Sequence, residues 1–397
     1  MAAHRSAPTP GPEHVTQIAE RRAAMTELLV QLAEIGSGSF DPAGLDLMRH
    51  ALRRELSELP CEVDDVPVGR ATPVLCARAR PDAPVQVLLS GHIDTVYGPD
   101  DPFQQVTWRD PDTLQGPGVL DMKGGIVVML EALRAVEQSP WAGGIGWRVV
   151  LVPDEEIGSL SSRGVLTEAA AKCHAGMVFE PGLPNGDVVR NRLGSGAVTM
   201  TARGRAAHSG RDFASGRNAL VALADAATAA HALNTQIEGV IVNVAQMTGG
   251  TAVNVVPDSG RLQIGVRAES SAAADLLLAR LHRAATEVAT RSEVEIAVEG
   301  GFQRPPRRVD ERWDRLFSGY REAARDLGMA VGFSDAGGSS DGNLLTAAGL
   351  PALDGLGPLG AGMHSPEEHV LLPTLVDRAR VAALVLMRMA SRDIATA

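Results

Sequence analysis

The chain has 397 residues, 45% of them hydrophobic and 21% charged, the profile of a globular protein with length for two domains. Asp and Glu total 48 against 37 Lys and Arg, a net charge of −11, which argues against the basic face that nucleic acid or an anionic membrane requires. Aromatic residues are only 3%, so the core must be aliphatic.

Cys61, Cys76 and Cys173 are odd in number, widely spaced and form no CxxC pair, so they read as buried free thiols in a reducing compartment. The Pro-rich start, MAAHRSAPTPGPEHV, has no apolar h-region, and no stretch is long enough to span a bilayer, so the cytoplasm is expected. From the N-terminus, the apolar periodicity predicts a helix from about His14 to Ile35 and a second over Asp41 to Leu59. VLCARA (Val74 to Ala79) and VQVLLS (Val85 to Ser90) read as buried strands. A helix from about Gly125 to Glu137 follows, then the strands WRVVLVP (Trp147 to Pro153), GMVFE (Gly176 to Glu180) and PALDGL (Pro351 to Leu356). Strands alternating with helices imply an α/β fold, a mainly parallel sheet with helices on both faces.

Residues 193–305 keep a different rhythm. The strand GAVTMTARG, a helix over Arg217 to Leu233, two strands (VIVNVAQM and Ala252 to Arg267), a helix over Ser271 to Arg291 and the strand VEIAVEG give β-α-β-β-α-β, the split-βαβ, ferredoxin-like plan. This segment reads as a small α+β domain inserted between two parts of the larger one, 1–192 and 306–397.

GHIDT (Gly91 to Thr95), DEE (Asp154 to Glu156) and FEPG (Phe179 to Gly182) each begin where a predicted buried strand ends. Ligands of open α/β sheets gather outside such carboxyl ends, and acidic groups buried there need a partner or a metal. His92 and Asp94, two apart in extended chain, point to one side, which suits a histidine ligand oriented by a carboxylate; a satisfied histidine with a capping Asp is the alternative. Asp121 sits in the glycine-rich GPGVLDMKGG, where glycines let the backbone turn and approach a bound group; taken alone it reads as a helix N-cap. Neighbouring Glu155 and Glu156 should diverge, one toward a metal and one toward an attacking water, against the plainer reading of a solvated turn. Glu180 ends GMVFE, and His364 follows PALDGL through the loop GAGMHSPEEH, whose His369 reads as surface. Together His92, His364, Asp121, Glu156 and Glu180 could supply two tetrahedral zinc ions with one carboxylate bridging. Neither a Walker loop nor a convincing GxGxxG is present, which sets aside a nucleotide-dependent enzyme.

GHIDTVYG, GPGVLDMKGG, DEEIGS, FEPG, AAHSG and GMHSPEE, in that order over roughly Arg22 to Arg388, resemble the zinc exopeptidase and deacylase family. That family includes glutamate carboxypeptidase of the G type, aminoacylase, acetylornithine deacetylase and succinyl-diaminopimelate desuccinylase. DTVYG, DEEIGSLSSR and GGSSDGN bring the chain nearest the glutamate carboxypeptidase branch. The resemblance implies a homodimeric enzyme holding two zinc ions per chain, with cobalt or manganese as substitutes, and cleaving an amide beside a free carboxylate. It pairs His92 with Glu180 on one ion and Glu156 with His364 on the other, with Asp121 bridging and followed by a cis peptide bond. Asp94 orients His92, and Glu155 takes the proton of the bridging water and passes it to the leaving amine. His208 in AAHSG matches a histidine that steadies the oxyanion across the dimer, Asn254 and Arg267 match residues holding the substrate carboxylate, and Gly362 matches a glycine lining the substrate site. Ser340 stands where relatives carry Thr, and Arg190 and Arg192 do not align with the family's basic contact, so their roles stay open. Removal of an acetyl, succinyl or carbamoyl group is the neighbouring activity. A catalytically silent relative is disfavoured because neither Glu155 nor any ligand is lost.

Overall fold

A computed structural model describes residues 9–395; the Pro-rich start, read above as lacking an h-region, lies in part outside the described residues. The chain divides into two compact units, one of residues 9–191, 309–336 and 340–395, the other of residues 192–308 and 337–339.

Sixteen strands are described: β1 (Glu62–Val68), β2 (Ala71–Ala79), β3 (Val85–His92), β4 (Thr107–Asp110), β5 (Thr113–Gln115), β6 (Ile145–Val152), β7 (Ala175–Val178), β8 (Val188–Arg192), β9 (Gly194–Arg203), β10 (Val240–Gly249), β11 (Ser259–Ala268), β12 (Glu295–Arg304), β13 (Phe333–Ala336), β14 (Ala352–Asp354), β15 (Gly360–Ala361) and β16 (His369–Leu371). In the first unit eight of them form one sheet in the order β1-β2-β6-β3-β7-β14-β8-β13. Its centre, β6-β3-β7-β14, is parallel, while β2 pairs antiparallel with both β1 and β6. Alternate residues serve opposite faces. Val87, Leu89, Val149, Leu151 and Met177 pack on one face with helices α1 (Arg22–Ala33), α2 (Pro42–Ser57) and α3 (Lys123–Glu137). Leu88, Val150, Val152 and Val178 pack on the other with α4 (Arg163–Ala170). Strands buried on both sides explain the continuous apolar runs that made them readable. The first predicted helix is in fact two: a 3₁₀ segment over Pro12–Arg21 precedes α1. Asp41 caps α2, its side chain accepting from the amide of Gly44 at 3.1 Å.

In the second unit β9, helix α5 (Ala219–Gln236), β10, β11, helix α6 (Ser271–Ser292) and β12 follow in the predicted β-α-β-β-α-β order. They form an antiparallel sheet, β10-β11-β9-β12, the ferredoxin-like arrangement. The strand predicted from Ala252 begins only at Ser259. Residues 252–258 bond elsewhere: the amide of Val256 donates to the carbonyl of Ala207 at 2.9 Å, and Pro257 has no amide to give a ladder.

The three cysteines are unpaired, as expected, but half-buried rather than buried. Burial pushes Cys61 and Cys173 up to about 11 and Cys76 up to about 12. Among the described residues no helix is long and apolar enough to cross a membrane.

Candidate metal centre

Three neighbouring parallel strands deliver the acidic and histidine side chains to one edge of the sheet. His92 is the last residue of β3 and lies level with Val152, the last of β6, while Ser90 lies level with Val178, the last of β7. The Asp154–Glu156 turn and Glu180 therefore leave the sheet on either side of His92.

His92 is buried, with its ring fixed at both nitrogens. Nδ1 lies 2.9 Å from the carbonyl of Asp94 and 3.3 Å from its Oδ1, while Nε2 lies 3.0 Å from Asp121 Oδ1 and 3.9 Å from Glu180 Oε1. Asp121 divides its oxygens: Oδ2 lies 3.3 Å from His364 Nε2, which is also 3.2 Å from Glu156 Oε2. The N-cap reading of Asp121 fails, because α3 begins at Lys123 with Met122 in the cap position. The Asp121–Met122 peptide is cis. His364 has φ 60°, a left-handed conformation that non-glycine residues rarely adopt, and it presents its ring to the two carboxylates.

Two ligand triplets result, His92 with Asp121 and Glu180, and Asp121 with Glu156 and His364, the donor atoms of each lying within 4.8 Å of one another. Charge on these groups is strongly displaced. Burial alone would raise Asp121, yet hydrogen bonds with His364 and His92 outweigh it and hold the carboxyl well below the usual range. Hydrogen bonds to Asp121 and Glu156 push His364 up to about 10. Burial opposes the charge on His92, but Asp121 and Asp94 overcome it and raise that ring too. Burial keeps Glu156 above the usual carboxylate range despite its bond to His364. A donor set of two imidazoles and three carboxylates, crowded enough to attract positive charge this strongly, fits a pair of divalent cations.

The DEE turn is no solvated loop. Asp154 is buried and structural, accepting from the amide of Ser161 at 2.7 Å and from the hydroxyl of Ser162. Beside its approach to His92, Asp94 braces the following turn: Oδ1 accepts from the amide of Glu155 at 3.0 Å, and Oδ2 from the amide of Glu156 at 3.1 Å and Ser39 Oγ at 2.8 Å. Glu155 itself is 6% exposed. Gly125 of GPGVLDMKGG serves the protein's own backbone: a Cβ there would lie 1.9 Å from the carbonyl of Phe179, so α3 can abut the Glu180 loop only with glycine at that position. Gly362 has φ 78° and turns the chain toward His364.

Sequence reasoning missed Glu368, Tyr97 and Lys123. Glu368 is fully buried and accepts from three main-chain amides, and the ammonium of Lys123, lowered to about 7 by burial, donates to the carbonyls of Ile35 and Pro117 at 3.0 and 3.1 Å. The sequence signal was present in MKGG and HSPEEH, where a lone Lys and a second Glu follow ligand positions. His369, expected at the surface, is half-buried, its Nδ1 2.8 Å from the carbonyl of Glu367. Ser340 caps a short helix, its Oγ accepting from the amide of Gly342 at 3.0 Å and donating to Asp354 at 2.8 Å. Arg190 lies 4.0 Å from Asp314, and Arg192 donates to the carbonyl of Gly338 at 3.2 Å.

His208, Asn254 and Arg267 belong to the second unit. His208 and Asn254 are exposed and adjacent, joined by the bond from the amide of Ser209 to the carbonyl of Asn254 at 3.0 Å, while Arg267, on β11, donates to the carbonyl of Gly337 at 3.2 Å.

The model of the Peptidase family M20/M25/M40 matches residues 88–388, three-quarters of the chain and all of the ligand loops. The chain belongs to the M20 peptidase family. Carboxypeptidase G2 of Pseudomonas sp. (strain RS-16) is 26% identical over 385 residues, 93% of this chain and 90% of that relative. A succinyl-diaminopimelate desuccinylase of Alkalilimnicola ehrlichii is 30% identical over 345 residues, covering 79% and 86%. The aminopeptidase PepT of Bacillus cereus shares the fold, with a TM-score of 0.75 at 18% identity over 93% of this chain and 99% of that one. As an M20 enzyme the protein is a metallohydrolase of peptides or acyl amino acids, acting on an amide bond.

Proposed function

We propose that this M20 enzyme carries two zinc ions and cleaves the amide of a small peptide or N-acyl amino acid beside a free carboxylate, as a glutamate carboxypeptidase does. One observation carries the reading: the two oxygens of Asp121 face different imidazoles, at 3.0 and 3.3 Å, with Glu180 and Glu156 completing a triplet on either side. His92 and Glu180 would hold one ion, Glu156 and His364 the other, and Asp121 both. When bound, the ions supply Lewis-acid activation of a water and of the scissile carbonyl.

The chain's own residues do the rest. Asp94 fixes His92 with Nε2 toward Asp121, and through two amide bonds it holds the Glu155–Glu156 turn. Glu155 takes the proton of the attacking water on its carboxylate and delivers it to the amide nitrogen as the bond breaks. We assign His208 to the oxyanion, Asn254 and Arg267 to the substrate carboxylate and Gly362 to the wall of the substrate site, as the resemblance implies. Residues 193–305 are assigned as the inserted domain through which two copies pair.

A second reading is removal of an acetyl, succinyl or carbamoyl group, of which the succinyl case is supported by the 30% identity to a desuccinylase. One panel separates the two: dipeptides and N-acyl-, N-succinyl- and N-acetyl-amino acids, assayed with added zinc. Release of a C-terminal acidic residue supports the carboxypeptidase reading, and turnover confined to N-succinyl substrates supports the other. Hydrolysis of none, by protein of verified zinc content, would overturn both.

A further inference from the structure

Glu368 is the last acidic residue of HSPEEH, four positions after His364, and it is fully buried. A buried carboxylate is costly unless its lone pairs are met. Here they are met by main chain from one particular loop. Oε1 accepts from the amides of Leu120 at 2.9 Å and Asp121 at 3.0 Å, and Oε2 from the amide of Gly118 at 3.2 Å. The hydroxyl of Tyr97 stands 2.8 Å from Oε2 and 2.9 Å from the carbonyl of Ser365. The backbone repeats the link, with the amide of Gly116 donating to the carbonyl of Glu368 at 3.1 Å.

Three segments thus meet at one carboxylate: the Gly116–Asp121 loop, the His364–Glu368 loop, and the chain that leaves His92 through Tyr97. Each carries a residue of the candidate metal centre. Asp121 can reach both imidazoles only if the first loop holds its place against the other two, and its own amide is one of the groups Glu368 holds.

We propose that Glu368 is a positioning residue of the metal centre, fastening the Asp121 loop to the His364 loop and to Tyr97 so that Asp121 stands between His92 and His364. The inference rests on the metal-site reading above. It assigns Glu368 no contact with substrate or metal.

The test uses the full chain with Glu368→Gln and Tyr97→Phe. Glutamine offers one acceptor oxygen where glutamate offers two, so at least one loop amide loses its partner. Zinc affinity is measured by competition with a chromophoric chelator, the visible spectrum of the cobalt-loaded protein reports ligand geometry, and kcat and KM are measured on any substrate the wild type accepts. Groups that orient metal ligands typically account for 10–100-fold in affinity, so Glu368→Gln should bind zinc about 10- to 100-fold more weakly. Its cobalt spectrum should shift, and kcat should fall with KM little changed. Tyr97→Phe, which keeps all three amide bonds, should move the same quantities in the same direction by less. Glu368→Gln that folds with wild-type zinc affinity and cobalt spectrum overturns the proposal. If that variant does not fold, Tyr97→Phe decides: wild-type affinity and spectrum overturn it, and a weakened site upholds it. A wild-type protein that takes up no divalent metal instead sinks the metal-site reading itself, a result distinct from either.

Discussion

Asp94→Asn separates bracing from charge at the centre of the site. Asp94 receives the amides of Glu155 and Glu156 and the hydroxyl of Ser39, all within 2.8–3.1 Å. Asparagine keeps the shape but turns one acceptor oxygen into a donating NH₂. Whichever way the amide sits, it confronts the N–H of Glu155 or that of Glu156. One main-chain amide beside a buried side chain then loses its acceptor, a cost of about 1–3 kcal/mol. For a body of this size roughly 2 °C of melting temperature corresponds to 1 kcal/mol, so the midpoint should fall by about 2–6 °C. The effect on metal should be milder than for a ligand. His92 Nδ1 also lies 2.9 Å from the carbonyl of Asp94, which the substitution retains, so ring tautomer and orientation persist and zinc affinity should drop about tenfold, the low end for such partners. Calorimetry of the zinc-free protein and chelator competition read the two effects independently. A variant that melts with the wild type and binds zinc equally well would show that neither the turn nor the imidazole depends on this carboxylate.

Glu155→Gln should leave zinc content unchanged by elemental analysis while lowering turnover about 10²- to 10⁴-fold; retained turnover removes it as the base. His92→Ala should lose zinc, and mixing it with His208→Ala should restore activity if two copies complete one site; no rescue after demonstrated subunit exchange refutes sharing. Asp65 ties β1 to α2 through Arg49 and Arg53 at 2.6 and 2.8 Å, and although burial would raise its pKa, these two partners hold it below the ordinary value of 3.8. Its contribution is therefore present above about pH 4 and lost as pH falls through the lower folded value, so the melting gap between wild type and Asp65→Asn, about 1 kcal/mol or less for a partly exposed pair, should close in acid. With their thiols raised to about 11 and 12, Cys61, Cys173 and Cys76 should react slowly with a thiol reagent at pH 8 until the chain is unfolded; rapid labelling of native protein contradicts that.

The readable parts of the sequence were those with few physical alternatives. Short apolar runs such as VQVLLS, alternating with helical stretches, read as buried strands, and the acidic or histidine residues that follow VQVLLS, WRVVLVP and GMVF point to one edge of a parallel sheet. Strand β1 was not readable: EVDDVPV is polar, exposed and carries Pro67, features tolerated only at a sheet edge, where it pairs with β2 and slips register between Val66 and Val68. The two- to four-residue strands β4, β5, β15 and β16 are too short to show a period. For Asp121 taken alone a helix cap was the plainer reading, and only its place among the other candidate ligands pointed to a metal; sequence cannot show that α3 starts two residues later. Glu368 and the bracing by Asp94 were missed for one reason. Both bond to main-chain amides, and which amides face a carboxylate is decided by the path of the backbone, not by any side chain in the motif.

That distinction orders the acidic groups of the centre. Asp94, Asp154 and Glu368 have their oxygens met mainly by amides and hydroxyls of the surrounding loops, Asp94 Oδ1 lying in addition 3.3 Å from His92 Nδ1. Their negative charge is dispersed over fixed dipoles, and they hold chain in place. Asp121 and Glu156 point oxygens at imidazoles, and the field they create with their neighbours is strong enough to push His364 up to about 10. A field that draws a proton onto imidazole at neutral pH draws a divalent cation more strongly, and the imidazole, once neutral, becomes its ligand. Carboxylates bound to amides fix these loops without placing a cation against Asp121 or Glu156; the nearby ammonium of Lys123 is turned to the carbonyls of Ile35 and Pro117. On this reasoning Glu156→Gln, which removes one such charge and keeps the shape, should lower the pKa of His364 and weaken the metal site together. NMR titration of the zinc-free variant reads the first and chelator competition the second, and a change in one without the other would show that the two do not share the same field.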